Sequence, residues 1–344
     1  MRIGVIASVA HRTPPRAYGP WEQVASTLAE GLVARGHEVT LFATADSITA
    51  ARLHAESPTG YEEDRSLDAK VYECLHISAA FERAAQFDVL SNQFDFLPLT
   101  YSRLVDVPMV TTVHGFSSPA IVPVYRAYAD VAHYVSISDA DRHPDLPYRA
   151  TIHHGIDLAQ FTFRPDPGEY LLFMGRMHPD KGAHLAIEVA RRVGLPLVMA
   201  GIIQDEAYFT ELVRPHIDQA NVTYLGPVGP AERDRLLGGA LALLHLIGFA
   251  EPFGLSVVEA LATGTPVIAH PLGSMPELIR PGRTGYLVET LESAVAAVAS
   301  VAALDRRTCR DDVEERFTDA RMVRAYEDVF AAVTADIASS SSST

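Results

Sequence analysis

Apolar runs of four or five residues alternate along this chain with segments whose apolar residues return at helical spacing. Ile3–Ala7 is the first run. It is unbroken, as in a strand buried on both faces, and too short for a signal-peptide core. A polar loop from Ser8 to Pro20 follows, and then Trp21, Val24, Ala25, Leu28, Ala29 and Leu32 mark a helix. Arg35-Gly36 ends that helix, and Val39–Ala43 is the second strand. Pro20 suits a first helical position. Gly19 stands at the strand-to-helix turn of this βαβ unit, where open parallel sheets bind ligands, but the Gly-x-Gly-x-x-Gly dinucleotide fingerprint is absent. Ser47 to Arg65 reads as a loop with short helical pieces. Further strands are expected at Phe87–Leu90, Met109–Val113 and Tyr134–Ile137, the first two followed by polar residues that include Asn92 and His114.

Arg164-Pro-Asp-Pro-Gly168 has the composition of a linker, and beyond it the pattern restarts. Strands are expected at Tyr170–Met174, Leu197–Ala200, Val222–Leu225, Ala242–Leu246 and Val267–Ala269. Ala186, Val189, Ala190 and Val193 form the buried stripe of an intervening helix. A last helix carries Met322, Tyr326, Val329, Phe330 and Val333, and the serine-rich end at 339–344 is expected to be disordered. The halves share an architecture without a sequence repeat.

Two stretches carry candidate chemistry. In Glu251-Pro-Phe-Gly-Leu-Ser-Val-Val-Glu259, carboxylates bracket a loop that runs into a helix ending at Gly264. Gly254 lets a backbone approach a ligand. The first-turn amides of Leu255 and Ser256, with the helix dipole behind them, suit an anion such as a phosphate. Acidic groups would repel bare phosphate but accept bonds from sugar hydroxyls, so a sugar nucleotide fits the set. Taken alone, the pair also fits a helix start with one surface Glu and one loop Glu. In Gly175-Arg-Met-His-Pro-Asp-Lys-Gly182, Arg176 and Lys181 stand at the carboxyl end of a strand, although the spacing is not that of a P-loop. Asp139-Ala-Asp141 has the Asp-x-Asp form of some metal sites, and a helix start explains it more simply. His153-His154 are adjacent, so on a strand they would point to opposite faces, and a structural role is expected.

Composition narrows the classes. The length of 344 residues suits about two domains. No apolar run is long enough to span a membrane. The net charge of −15 argues against nucleic acid as a partner. Two cysteines, Cys74 and Cys309, give no disulfide framework, which suits a reducing, cytoplasmic setting. Of the 28 basic residues only Lys70 and Lys181 are lysines, which draws notice to Lys181.

The motifs in order resemble the retaining glycosyltransferases of family 4, with the GT-B fold. They are Tyr18-Gly19, Arg35-Gly-His-Glu-Val39, Thr112-Val-His-Gly115, Ser136-Ile-Ser138 and Gly155-Ile-Asp157. Phe173-Met-Gly-Arg176, Lys181-Gly182, Tyr224-Leu-Gly226, Glu251 to Ala260, Gly264-Thr-Pro-Val267 and Gly273-Ser-Met-Pro-Glu277 follow. Leu171-Leu-Phe-Met-Gly-Arg176 is similar to avilamycin-pathway members of the family.

The resemblance implies an α/β chain of two doubly wound Rossmann-like domains facing a cleft. Residues 1–164 would bind the acceptor and 165–316 the nucleotide sugar, with a helix at 317–338 crossing back to the first domain. By the same resemblance, His114, Arg176, Lys181 and Glu251 form the catalytic set. Glu259 holds the ribose, Leu255 and Ser256 help with the diphosphate, and Gly19 meets it from the first domain. Phe253 and Gly254 meet the sugar, and the base rests near Gly226–Val228. Acceptor contacts are expected from Arg16, Tyr18, Asn92 and Tyr125. The family pattern has a second Gly after Gly19 where this chain has Pro20, and Asn where it has His154.

The implied reaction is front-face displacement of a hexose from a nucleotide sugar, UDP-glucose being the first expectation, to an acceptor hydroxyl. No metal and no cofactor are expected. A non-hydrolysing sugar-nucleotide epimerase and a non-catalytic sugar-nucleotide-binding module are the alternatives.

Overall fold

A computed structural model describes residues 1–116 and 119–341. The chain divides into two compact units, one of residues 1–155 and 319–344 and the other of residues 156–318.

Unit 1 is built on a seven-stranded parallel sheet. Its strands are β1 (Arg2–Ile6), β2 (Glu38–Phe42), β3 (Arg52–His54), β4 (Val89–Asn92), β5 (Met109–Val113), β6 (Ala132–Ser136) and β7 (Tyr148–Thr151), in the order β3-β2-β1-β4-β5-β6-β7. Its helices are α1 (Pro20–Ala34), α2 (Ala69–Glu82) and α3 (Val122–Ala127). The order reverses direction between β1 and β4, and at such a switch point the loops leaving the strands part to form a ligand crevice.

Several boundaries differ from the hydrophobic reading. β4 starts at Val89 and takes in Ser91 and Asn92, which pair in register with Val5 and Ile6 of β1. Those polar side chains tolerate burial because they are bonded, Ser91 Oγ accepting from Gln93 and Asn92 donating to Thr111. β3 and β7 are short edge strands, half-exposed and without an apolar run. α2 hides its helical period because Val71 and Leu75 are exposed while Ile77 and Phe81 are buried. Asp139–Asp141 begins no helix; it forms a bend and turn, where Asp139 accepts from Thr151 and Ser138 caps Asp141 N–H.

Unit 2 has a six-stranded parallel sheet in the order β10-β9-β8-β11-β12-β13. The strands are β8 (Leu171–Met174), β9 (Leu197–Ala200), β10 (Val222–Tyr224), β11 (Ala242–His245), β12 (Val267–Ala269) and β13 (Gly285–Leu287). The helices are α4 (Ala183–Val193), α5 (Glu206–Tyr208), α6 (Pro230–Gly238), α7 (Leu255–Ala262), α8 (Met275–Leu278), α9 (Leu291–Val301) and α10 (Arg306–Arg316). Its core gathers Leu171, Phe173, Ile187, Met199, Leu244 and Ile268.

The division between units falls at Gly155, ahead of the Pro- and Gly-rich stretch. Arg164 is bound into unit 2 by its contacts with Asp234, so that stretch is no free linker. The chain returns to unit 1 as α11 (Asp319–Ser341). Met322, Tyr326, Phe330 and Val333 are buried there, and the Tyr326 hydroxyl meets Thr112 Oγ1 at 2.8 Å. Gly31 of α1 admits the close approach: a Cβ there would lie 2.4 Å from Val323 of α11. The backbone of 339–341 is the end of α11, and 342–344 lie outside the described residues.

One buried cation holds unit 2 together. Arg306 is 4% exposed, and its guanidinium donates to the carbonyls of Arg164, Gly238 and Ala240 and to Thr265 Oγ1. These groups lie on segments distant in sequence. Removing the donor would strand buried carbonyls, each worth about 1–3 kcal/mol when left unpaired. Arg306→Met is expected to destabilise the chain by about 3–5 kcal/mol, read as a lower unfolding midpoint in urea; a shift below about 1 kcal/mol would show that water replaces the guanidinium.

Candidate functional site

In unit 2 the candidate residues collect at the carboxyl edge of the sheet. Lys181 follows β8 through Pro179–Lys181, a single 3-10 turn, and Gly182 then starts α4 in the left-handed region at φ 74°. A side chain there would put Cβ 2.0 Å from the Leu246 carbonyl, which accounts for glycine. Glu251 sits in the loop after β11. Ser274 pins that loop, its N–H donating to the Glu251 carbonyl at 2.9 Å and its hydroxyl to the Phe253 carbonyl at 2.5 Å. Gly254 turns the chain into α7 at φ 98°, with Met275 Cε 2.7 Å from where a Cβ would stand.

The pinned loop brings Glu251 onto Lys181. The two side chains form an ion pair, each 13% exposed, and the ammonium lies 4.6 Å from the centre of the Phe249 ring. His245, the last residue of β11, is 5% exposed and places Nε2 3.5 Å from the same Glu251 oxygen. That nitrogen is buried without a hydrogen-bond partner among the described residues. Burial raises the Glu251 carboxyl, but His245 and Lys181 outweigh it and bring its pKa down to about 2. Burial pulls Lys181 downward, Glu251 pushes it back up, and the charge of Arg176 adds to the lowering. Arg176 itself bonds Gln204.

Glu259 forms a second cluster on α7. It is buried, and Arg233 of α6 approaches its Oε1 at 3.3 Å. Burial raises its pKa and Arg233 opposes the rise. Gly226 and Val228 follow β10 on the same edge of the sheet, Gly226 at φ 75° accepting from Gly201 N–H at 2.9 Å.

Unit 1 assembles its own cluster. His114 leaves the end of β5, buried, and pairs Nε2 with Gln93 Oε1 at 3.0 Å. Its ring stacks on Trp21 at 5.6 Å and lies 5.3 Å from His154. Gln93 is locked in turn by donating to Ser91 and Thr112. Gly19 precedes α1 at φ 153°. Of the residues expected to meet an acceptor, Asn92 and Tyr125 are enclosed. Asn92 bonds Asp95 and Thr111, and Tyr125 donates to Asp95. Arg16 and Tyr18 are exposed, Arg16 in ion pairs with Asp46 and Glu63 at 3.1 Å each.

The residue pattern points to Glu251, Lys181, Glu259 and His114, and to Gln93 only as a polar residue at a cleft edge, but not to His245 or Arg233. His245 had a signal, a polar residue closing a buried apolar run. Arg233 had none, being one charge among several on a polar helix. Among the described residues no three His, Cys, Asp or Glu side chains group as metal ligands, and no helix is long and apolar enough to cross a membrane.

Comparison with known proteins fits this architecture. Residues 21–160 match the family model described as Glycosyltransferase Family 4, and residues 157–316 match that described as Glycosyl transferases group 1. The chain therefore carries two glycosyltransferase family domains in tandem, on a GT-B fold. Among curated relatives, glycogen synthase of Mycobacterium tuberculosis is 28% identical over 243 residues, covering 60% of this chain and 57% of that protein. The chain thus spans little more than half the length of that relative. Among solved structures, AviGT4, a glycosyltransferase involved in avilamycin A biosynthesis, matches with a TM-score of 0.73 at 22% identity, covering 97% of this chain and 98% of its own. Anabaena HepE in complex with UDP and glucose matches with a TM-score of 0.74 at 16% identity, covering 96% and 100%.

The histidines of unit 1 make stability depend on pH. Burial lowers His114 from 6.5 to about 3 and His76 to about 4, and it holds His154 well below its ordinary value. The folded chain then binds fewer protons than the unfolded chain below about pH 6.5, so stability falls as pH drops through that value toward 4. Each such group contributes up to about 1.4 kcal/mol per pH unit in that window. The melting temperature is expected to fall steadily from pH 7 to pH 5, and less steeply in His76→Gln; a flat profile would mean these rings charge as readily folded as unfolded.

Proposed function

We propose that the chain is a retaining hexosyltransferase. It would move a hexose from a nucleotide sugar, UDP-glucose first among candidates, to an acceptor hydroxyl. The observation that carries the reading is the pair of enclosed carboxylates flanking Gly254, one matched to Lys181 and the other without a hydrogen bond among the described residues. Acceptors held out of water at two points suit the hydroxyls of two sugars with a diphosphate between them. Leu255 and Ser256 open α7, where Gly254 offers no side-chain cap, so their amides remain available to that diphosphate. Support also comes from HepE, a fold relative whose complexes hold UDP and glucose, and from the glycogen synthase match.

In this reading Lys181 exchanges Glu251 for the diphosphate, joining Arg176. Glu251 then turns to the hydroxyls of the donor sugar. The bond from the anomeric carbon to the diphosphate oxygen breaks, and the acceptor oxygen bonds that carbon on the same face. The acceptor's proton passes to the departing phosphate oxygen, so no dedicated base is required. The chain supplies position and positive charge where the leaving group gathers negative charge. Those cations are the ground for expecting no metal requirement. The strand-end loops of unit 1 are assigned to the acceptor.

Incubation with UDP-glucose and a panel of hydroxyl acceptors is expected to release UDP at a rate indifferent to EDTA. Proton NMR of the product should show the anomeric configuration of the donor; an inverted linkage, or activity that EDTA abolishes and Mg²⁺ restores, would overturn the reading. The two carboxylates should also separate by kinetics. Glu251→Ala is expected to lower turnover about a hundredfold with modest loss of UDP affinity. Glu259→Ala should weaken UDP binding about tenfold or more, as lost bonds to a charged acceptor would. Calorimetry and steady-state rates giving the reverse assignment would mean the ligand runs the other way.

A further inference from the structure

Glu259 poses a problem that its surroundings solve only in part. Its side chain is 8% exposed, yet neither carboxylate oxygen accepts a side-chain or amide hydrogen bond among the described residues. A buried carboxylate in that state would take up a proton unless a cation holds it ionised. The one cation there among the described residues is Arg233, with Nη1 3.3 Å from Oε1. Arg233 is itself under-used. Its Nε is buried without a hydrogen-bond partner, and its guanidinium carbon lies 5.7 Å from the centre of the Phe161 ring. The pair is therefore held by charge and stacking, and the carboxylate keeps its hydrogen-bonding capacity.

We propose that Arg233 is a positioning residue for nucleotide recognition: it keeps Glu259 ionised and anchors Oε1, leaving Oε2 to accept from the vicinal hydroxyls of a ribose. The proposal rests on the assignment of Glu259 to the ribose made above. An ionised carboxylate accepts at both oxygens and makes bonds roughly twice as strong as a neutral acid does. Arg233 would thus set the preference for ribonucleotides over deoxyribonucleotides without touching the ligand. Burial raises the Glu259 pKa, and Arg233 is the one charge among the described residues that counters the rise. Lysine would keep the charge but not the planar fork that lies over Phe161.

The test is calorimetry of UDP, GDP and ADP and their 2′-deoxy counterparts on the full chain and three variants. The wild type is expected to bind its preferred ribonucleotide about tenfold or more tightly than the deoxy form, since one charge-assisted hydrogen bond is worth about that ratio. Arg233→Met and Glu259→Gln should both bring the ratio near one, and Arg233→Lys should recover part of it. If Glu259→Gln loses the preference while Arg233→Met keeps it, Arg233 is structural and only this inference falls. A wild-type ratio near one, no nucleotide binding by the wild type, or an undiminished ratio in Glu259→Gln removes the ribose reading and this inference with it. Should Arg233→Met fail to fold, adding Glu259→Gln must restore folding, because the fault would be an unpaired carboxylate. A double variant that stays unfolded overturns the proposal.

Discussion

A carboxylate taken out of water costs several kcal/mol unless a cation or a set of donors answers it. At the candidate site of unit 2, two carboxylates meet that cost in different ways. Glu251 is answered by Lys181, with His245 standing 3.5 Å away. Among the described residues Glu259 is answered by Arg233 alone, at 3.3 Å. Much of the local backbone serves these pairings. Ser274 pins the loop that carries Glu251, Gly254 turns it into α7, and Gly182 turns the Lys181 loop into α4 beneath the Leu246 carbonyl. Buried ion pairs of this kind are poor devices for stability and good ones for holding acceptors and donors ready.

Three histidines of unit 1 meet burial by the opposite route. His114, His154 and His76 are enclosed, and loss of water outweighs any charge near them, so they are kept neutral. A neutral imidazole donates at one nitrogen and accepts at the other, and the pairing with Gln93 Oε1 makes Nε2 of His114 the donor. Gln93 is oriented by Ser91 and Thr112, and Thr112 meets Tyr326 of α11. The last helix of the chain is thereby tied to the ring at the end of β5. Two family domains, one in each unit, place both clusters at the carboxyl ends of parallel strands. Side chains can converge on a ligand there because the loops leave the sheet.

The central strands were legible because a strand buried on both faces is mostly apolar. Leu197–Ala200 and Val267–Ala269 coincide with their apolar runs, and Met109–Val113 with its expected span. The edge strands were not legible, because Arg52–His54 and Tyr148–Thr151 face water on one side and lack such runs. Arg164 to Gly168 looked like a boundary from its prolines, yet Arg164 is bonded to Asp234 and Arg306 donates to its carbonyl. Composition reports what a backbone can do, and long-range hydrogen bonds decide what it does.

The same division runs through the site. Residue order alone determined the alternation of strands and helices, the two-unit plan, and the stretches around Lys181, Glu251, Glu259 and His114. Those follow from local rules: side-chain period, turn residues and the chemistry a loop can offer at a strand end. Which charges meet was decided only in three dimensions. Lys181 and Glu251 are 70 residues apart, and Arg233 reaches Glu259 only because α6 and α7 are neighbours in the fold. No periodicity encodes such a meeting, because it depends on the order in which parallel strands are laid into a sheet, and that order is set by the packing of the whole unit.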